Sequence, residues 1–336
     1  MKSHKHLNPE AAHASEWLPN RRQLLAAAGL ASVTGLAGAQ SAYPARPITI
    51  IVGFAAGGIA DSLARLAATL LSEQLKQSVI VENRAGAGGT IAAAAVAKAP
   101  KDGYTLLMAS NGHAVNATMM KQLPFDAVKD FAAVGGVAAS PLVVVVRADS
   151  PYKTIADLIA AAKAKPMPYG SGGAGTLTHL LPELVASTTG ANFTHIPYRG
   201  TGPAIIDLMG GQVEFVMDLV QTALPQVQGG KLRALAVSSR QRSMQLPDVP
   251  TLAEGAMRGL DAQGWYGLLA PAGTPPAVLD KLNAALNRSL GNPAVIARII
   301  GLGSTPIGGT RDAFMALLRS EVKRWGDIVT ARNITA

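Results

Sequence analysis

The sequence predicts an α/β fold in which strands and helices alternate around a mainly parallel sheet. The β-branched run at residues 48–52 is typical of a buried strand, and a glycine loop and a helix-periodic apolar segment follow it as far as Lys76. The order of strand, glycine cluster and helix returns over residues 79–99, and a further strand is predicted at 104–108. Because this alternation places helices on both faces of a sheet, we expect ligands beyond the carboxyl ends of its strands.

Two glycine loops at the starts of predicted helices are the first candidates for a binding site. Residues 53–58 precede the first helix, and residues 170–176 precede a helix that begins at Leu177. The unpaired N–H groups and positive dipole end of a helix N-terminus bind an anion without any charged side chain. A simple tight turn explains Gly57-Gly58 equally well, so the pattern leaves both interpretations open.

The later part of the chain predicts a second domain. Apolar strands at 134–137 and 142–146 flank Ser140-Pro141, where we expect the chain to cross from one domain to the other. Further strands are predicted at 193–197, 214–217 and 232–238, with a return strand at Leu268 and Leu269. Helices at 277–290, 293–300 and 311–330 are predicted to close the chain.

Composition excludes several classes of function. The formal net charge is +9, but the basic residues are dispersed and lack interleaved aromatics, so no nucleic-acid partner is expected. The chain has no cysteine, which excludes disulfides and thiolate metal sites. Its six histidines do not form a spaced ligand set, so no metal site is predicted.

Residues 1–42 are predicted to be an export signal that is removed from the mature protein. Arg21-Arg22 precede an uncharged run of small and apolar residues, and small-residue cleavage sites end at Ala39 and Ala42. The two arginines also resemble a weakly matched twin-arginine signal. We therefore expect an exported protein.

No catalytic constellation is evident, so no enzymatic activity, catalytic residue or cofactor is expected. The loop at 170–175 satisfies G-x-G-x-x-G, and Arg199 follows the next predicted strand. An NADP-dependent oxidoreductase therefore remains an alternative, although Pro166 and Pro168 leave almost no strand before the loop. A nucleophile elbow around Ser171 fails because Tyr169 occupies its first glycine position. An exported enzyme that uses the same cleft is a second alternative.

Seven segments together resemble the Bug-type receptors of tripartite tricarboxylate transporters. They are residues 52–61, 81–89, 102–107, 173–180, 197–200, 208–218 and 265–275. The resemblance implies a two-lobed periplasmic binding protein of type II-like architecture, with a cleft that closes by a hinge motion. The implied lobes are residues 43–140 plus 270–336 and residues 141–269. The implied partners are a small carboxylate and either membrane transporter subunits or a sensor protein.

The resemblance also implies the residues of the site, because two backbone-rich loops of the family hold a ligand carboxylate. These loops map onto residues 54–61 and 171–179, and Asp61 and His179 are expected to support them from behind. The chain departs from the family where proline is common, at Ala55 and Ala85. It also has Leu-Val after Asp218, where asparagine and proline are often found. The expected ligand-binding residues are Phe54, Ala56, Gly57, Gly58, Ser110, Ser171, Gly173, Gly175, Thr176 and Asp218.

Overall fold

Strands and helices alternate along most of the chain, as the sequence predicts. The computed structural model describes residues 43–255 and 257–335, so the predicted export signal lies outside the described residues. The strands are β1 (Ile48–Val52), β2 (Val79–Asn83), β3 (Thr105–Ser110), β4 (Phe131–Arg147), β5 (Met167–Ser171), β6 (Phe193–Pro197), β7 (Phe215–Leu219), β8 (Leu232–Val237), β9 (Gln263–Pro271) and β10 (Thr305–Gly308). The helices are α1 (Ile59–Leu75), α2 (Thr90–Ala97), α3 (Asn111–Met119), α4 (Ile155–Ala164), α5 (Leu177–Thr189), α6 (Thr201–Met209), α7 (Val220–Gln228), α8 (Pro276–Leu290), α9 (Pro293–Gly301) and α10 (Arg311–Ala331).

The strands form one mixed sheet in the order β2-β1-β3-β9-β4-β7-β5-β6, and β8 and β10 also pair with β4. The α/β class is confirmed. Strands β1 to β3 are parallel to one another, as are β5 to β7. The central strands β4 and β9 are antiparallel to their neighbours, which the sequence did not predict. A run of β-branched residues indicates a buried strand but carries no information on the direction of its neighbours.

Strand β4 is the crossing between two halves of the sheet. The sequence predicts two strands here, whereas the structure has a single strand of 17 residues. Its part as far as Pro141 pairs with β9, and its part from Leu142 onward pairs with β7 and β8. Pro141, which has no N–H for a ladder bond, lies where the partner changes. We call β1, β2, β3, β9, β10 and residues 131–141 the first half, and β5 to β8 and residues 142–147 the second half.

The C-terminal helix α10 packs against both halves. Phe314 and Leu318 belong to the apolar core of the first half. Trp325 and Ile328, two and three turns further along, belong to the core of the second half, together with Tyr169. The helix therefore bridges the two halves, because its apolar residues are divided between two cores.

Strand β5 corrects one sequence-based expectation. The sequence predicts almost no strand before residue 170, but Met167–Ser171 pairs in parallel with both β6 and β7. Pro168 lacks only a donor, and its carbonyl still accepts a hydrogen bond from the N–H of Glu214 over 2.9 Å. Within the described ranges, no helix is both long and apolar enough to cross a membrane.

Candidate functional site

A cavity of about 510 Å³ lies beside the carboxyl ends of strands from both halves. The first half contributes the end of β3 and the start of α3, and the second half contributes the loop after β5 and the end of β7. The wall consists of Phe54, Ala87, Gly88, Ser110, Asn111, Gly112, Val115, Asn116, Met119, Met120, Leu142, Ala174, Gly175, Thr176, Leu177, Thr178, Leu219, Gly264 and Tyr266. Among the described residues, this wall includes no charged side chain.

Three helices begin at this wall with their first N–H groups uncapped by side chains. The N-cap residues are Ser110 for α3, Thr176 for α5 and Leu219 for α7, and none of these side chains accepts a hydrogen bond from the first turn. Helices elsewhere in the described chain use the same kind of residue as a cap: Thr154, Asn292 and Thr310 each accept a backbone N–H. Because serine and threonine normally satisfy these donors, the first turns of α3 and α5 keep N–H groups for a ligand.

The loop at Gly172–Thr176, here called loop two, is held by the first turn of α5. The N–H of Gly175 donates to Nδ1 of His179 over 3.1 Å. Gly175 has a φ of +72°, which favours glycine, and an added Cβ would lie 2.1 Å from Sδ of Met119 in α3. Loop two therefore needs glycine here both for its backbone and for its contact with the first half.

The hydroxyl groups of loop two and of the first turn of α5 are already used between these two segments. Thr176 donates to the carbonyl of Gly173 over 2.7 Å, and Thr178 accepts from the N–H of Gly172 over 2.9 Å. The hydroxyl oxygens of Thr176 and Thr178 lie 2.8 Å apart. Because Thr176 donates its proton to the Gly173 carbonyl, Thr178 is the donor in this second hydrogen bond. Four of the five N–H groups of loop two are also used internally. A ligand at loop two therefore meets the N–H groups at the start of α5 as its main donors.

The loop at Gly53–Gly58, here called loop one, is ordered by Asp61. This buried carboxylate accepts hydrogen bonds from the Gly57 N–H over 3.0 Å, from Asn83 and from Arg65. The hydrogen bond from Arg65 is the main cause that lowers the pKa of Asp61 to about 2. Phe54 lines the cavity, whereas Ala56–Gly58 are exposed and lie outside its wall.

Comparison with known proteins identifies the family. The family model for the tripartite tricarboxylate transporter family receptor matches residues 63–334. The chain belongs to this receptor family. BugT of Bordetella pertussis is 39% identical over 317 residues, which cover 92% of this chain and 97% of BugT.

Two solved structures support the same assignment. The periplasmic binding protein BugD is 33% identical, with a TM-score of 0.71 and coverage of 87% of this chain and 99% of BugD. Rpa4515 of R. palustris, solved with adipate, is 34% identical, with a TM-score of 0.75 and coverage of 87% of this chain and 99% of that chain. The receptor therefore has the two-lobed fold of periplasmic binding proteins.

The structure brings only some of the expected ligand-binding residues of the receptor to one cavity. Phe54, Ser110, Gly175 and Thr176 line it. Ala56, Gly57, Gly58, Ser171, Gly173 and Asp218 do not. The hydroxyl of buried Ser171 instead lies 2.6 Å from Nε2 of His195, behind loop two.

Asp218 of the receptor is buried in β7. Its Oδ1 accepts the N–H of Leu219 over 2.8 Å, while Oδ2 has no hydrogen-bond partner among the described residues. Burial raises the pKa of Asp218 to about 6, and nearby Thr201 and the Leu219 N–H oppose the rise only in part. The next residue, Leu219, occupies the wall in its place.

A second cavity lies behind loop two of the receptor. The rings of His179 and His195 stack with centroids 3.7 Å apart, and Glu183 forms an ion pair with Arg332 beside them. These four residues line an open cavity of about 520 Å³, which shares Ala174 with the first cavity. Loop two is thus a thin wall between the two cavities. In the described part of the chain, no group of histidines and carboxylates has a geometry suited to a metal ion.

The G-x-G-x-x-G pattern of the receptor has a packing explanation. Gly170 lies in β5, and an added Cβ would be 3.0 Å from Cβ of Ala204 in α6. Gly173 and Gly175 belong to loop two, and Arg199 is exposed. The pattern is therefore accounted for by helix packing and loop geometry, and family membership takes the place of the dinucleotide interpretation.

Sequence reasoning missed most of the wall. It expected Ser110 at the site, but not the helix α3 that brings Asn116, Met119 and Met120 to the cavity. The Asn111-Gly112 pair is typical of a turn and concealed the helix start. Tyr266, on another part of the wall, lies in the segment 265–275 that resembles the family. That resemblance was the one feature of the sequence that pointed to it.

Proposed function

We propose that the receptor captures a small carboxylate in the 510 Å³ cavity and presents it to membrane transporter subunits or to a sensor protein. Three observations support this: family membership, the uncapped helix starts at an uncharged wall, and adipate in the structure of Rpa4515. The uncapped helix starts carry the proposal. The export expected from the sequence and the periplasmic fold of BugD together favour a periplasmic location.

The proposed binding mode uses backbone donors in place of a buried arginine. Each helix N-terminus contributes about 0.3–1 kcal/mol toward a nearby anion, and more when water is excluded. Hydrogen bonds from N–H groups to a carboxylate are charge-assisted and therefore stronger than neutral ones. This arrangement binds the carboxylate common to many acids and leaves the remaining wall to select among them.

A comparison of an acid with its amide tests the binding mode. A thermal-shift panel of mono-, di- and tricarboxylates identifies an acid that binds, and titration calorimetry compares this acid with its primary amide at low and high ionic strength. We expect the amide to bind at least about a hundredfold more weakly, roughly 2.7 kcal/mol, because its NH₂ opposes N–H donors. Equal affinities, or no binding acid in the panel, would reject the carboxylate site. A difference that vanishes with salt would assign the attraction to the basic surface instead.

We also propose that the receptor closes around its ligand. The sequence predicts lobes of residues 43–140 plus 270–336 and residues 141–269, and β4 forms one crossing. Because β9 begins at Gln263 and pairs with β3, we place the second crossing just before Gln263, which moves residues 263–269 to the first lobe. Small-angle X-ray scattering with and without a bound acid tests the closure, and an unchanged radius of gyration would contradict it.

The proposal includes binding without turnover. The expected result is saturable binding of an acid that is recovered unmodified after long incubation. Steady formation of a product from that acid would instead support the alternative of an exported enzyme that uses the same cleft.

A further inference from the structure

The charges around the cavity favour one ligand carboxylate over two. No lysine, arginine or histidine is part of the described wall, which carries no charged side chain of either sign. The buried acid Glu321 accepts a hydrogen bond from the wall residue Asn111 over 2.9 Å, but it is already paired with Arg324 over 2.9 Å. A second ligand carboxylate would thus find no cation in the wall to offset its desolvation.

Some polar groups of the wall are already occupied. The hydroxyl protons of Thr176 and Thr178 are both used between loop two and the first turn of α5. The side chain of Asn111 donates to the Gln263 carbonyl and to Glu321, and it accepts from the Trp265 N–H. The donors that remain in the described wall, on Ser110, Asn116 and Tyr266, are uncharged.

The apolar part of the wall comes from both halves. Val115, Met119 and Met120 belong to α3 and the residue after it, whereas Leu142, Leu177 and Leu219 belong to the second half. Met119 reaches across, since a Cβ added at Gly175 would lie 2.1 Å from its Sδ. Such a wall favours a ligand whose hydrocarbon part is buried against it, and a flexible methionine side chain adapts to the shape of that ligand.

We infer that the receptor prefers a ligand with a single carboxylate on an apolar body, and that Met119 and Leu219 contact that body. This inference rests on the proposed carboxylate-binding function and names the class of acid. It differs from the dicarboxylate adipate found in Rpa4515.

Two matched pairs of acids test the inference. Hexanoate and adipate share a six-carbon chain, and 4-methylbenzoate and benzene-1,4-dicarboxylate share a ring, so each pair differs by a methyl group against a carboxylate. Calorimetry at pH 7.5 is expected to show the monoacid binding at least tenfold more tightly in each pair that binds. A diacid that binds equally or more tightly would overturn the inference and leave the proposed function standing, and failure of all four acids to bind would also overturn it. The proposed function is judged separately by the carboxylate panel and the acid–amide comparison.

Variants at Met119 test the assigned subsite. Met119→Lys adds a cation at the wall, and we expect it to shift the monoacid-to-diacid affinity ratio at least tenfold toward the diacid. Met119→Leu should keep the ratio of the parent. The matched control is Met244→Lys, because Met244 is 70% exposed and lies outside this wall. An unchanged ratio in a folded Met119→Lys protein, or an equal shift in Met244→Lys, would overturn the assignment of Met119; if Met119→Lys does not fold, the parent protein's two pairs decide the inference.

Discussion

At the residue scale, loop two depends on one glycine and one imidazole. Gly175 combines a φ of +72° with close contact to Met119, and its N–H is held by Nδ1 of His179. Loop one differs, because Gly58 has a φ of −78° and an added Cβ would be 3.9 Å from its nearest neighbour, the Ala55 carbonyl. Glycine is thus required at position 175, whereas Gly58 can be replaced by a residue with a side chain.

Gly175→Ala should weaken ligand binding at least about tenfold, roughly 1.4 kcal/mol, because the new Cβ displaces Met119 and strains the loop. Gly190→Ala is the matched control, since Gly190 has a φ of +75° and nothing within 4 Å of an added Cβ. That variant should lose stability but keep affinity, and Gly58→Ala should keep both. Calorimetry and thermal unfolding measure the three variants, and normal binding by Gly175→Ala would contradict the role of loop two.

His179→Leu should weaken binding by about fivefold, roughly 1 kcal/mol, because the Gly175 N–H loses its acceptor. His179→Gln offers a carbonyl oxygen at a similar position and should recover part of the affinity. Equal losses in the two variants would indicate that ring packing against His195 matters and the hydrogen bond does not.

The same histidine predicts a pH dependence of stability. Burial first, and the neighbouring His195 second, lower the pKa of His179 from 6.5 to about 4, while Glu183 opposes and Arg332 adds to the shift. A lowered pKa means that the neutral ring stabilises the fold fully above about pH 6.5 and loses this contribution as the pH falls toward 4. The difference in unfolding free energy between the parent and His179→Gln should therefore shrink between pH 7 and pH 4. A constant difference in urea titrations would contradict the assignment.

At the element scale, two threonine N-caps use their hydroxyls differently. In α4, Oγ1 of Thr154 accepts the Asp157 N–H over 3.2 Å, and the Asp157 carboxylate accepts the Thr154 N–H over 2.9 Å. In α5, Thr176 turns its hydroxyl to loop two instead. The same residue type therefore stabilises a helix at one start and shapes a binding loop at the other.

Thr154→Ala should lower the unfolding free energy by about 1 kcal/mol and leave ligand affinity unchanged, because it removes only a cap. Thr176→Ala should reduce ligand affinity more than stability, because it removes the hydrogen bonds of the Thr176 hydroxyl to the Gly173 carbonyl and to the Thr178 hydroxyl. Urea unfolding and calorimetry on both variants check this division, and an affinity loss in Thr154→Ala would contradict it.

At the scale of the whole molecule, Glu321 fastens α10 to the first half. Its Oε2 accepts hydrogen bonds from Asn111, from the Trp265 indole and from the Trp325 indole, at 2.9, 3.1 and 2.7 Å. Arg324 donates to its Oε1. Burial raises the pKa of Glu321, and these donors oppose the rise. The Glu321 carboxylate thus connects the C-terminal helix α10 with the start of α3 and with strand β9.

Glu321→Ala should lower the unfolding free energy by about 3 kcal/mol or more, since it leaves several buried donors without an acceptor. Ligand affinity should fall too, because Asn111 is part of the cavity wall. Glu82→Ala is the control: its ion pair with Arg84 is exposed and should change stability by less than about 1 kcal/mol. Similar unfolding curves for the two variants would contradict the role of Glu321 in fastening α10 to the first half.

The sequence by itself determined most of the strands and helices, because these depend on patterns among residues that are close together in the chain. The β-branched run before the first glycine loop and the helical spacing after Leu177 are local patterns, and the structure has β1 and α5 at these places. The order of strands and helices followed for the same reason, and it was sufficient for the α/β class. The family resemblance depended on short segments of this kind and supplied the two-lobed architecture.

Only the tertiary structure decided which residues form the wall and which side chains remain free. Met119 and Leu219 are far apart in sequence, and they line one cavity because β4 places the two halves side by side. Asp218 and Leu219 are adjacent, yet the strand buries the first and presents the second. Whether Thr154 or Thr176 caps its helix depends on the carbonyl that lies within reach of its hydroxyl. Such choices follow from distances between groups on different elements, which sequence spacing does not contain.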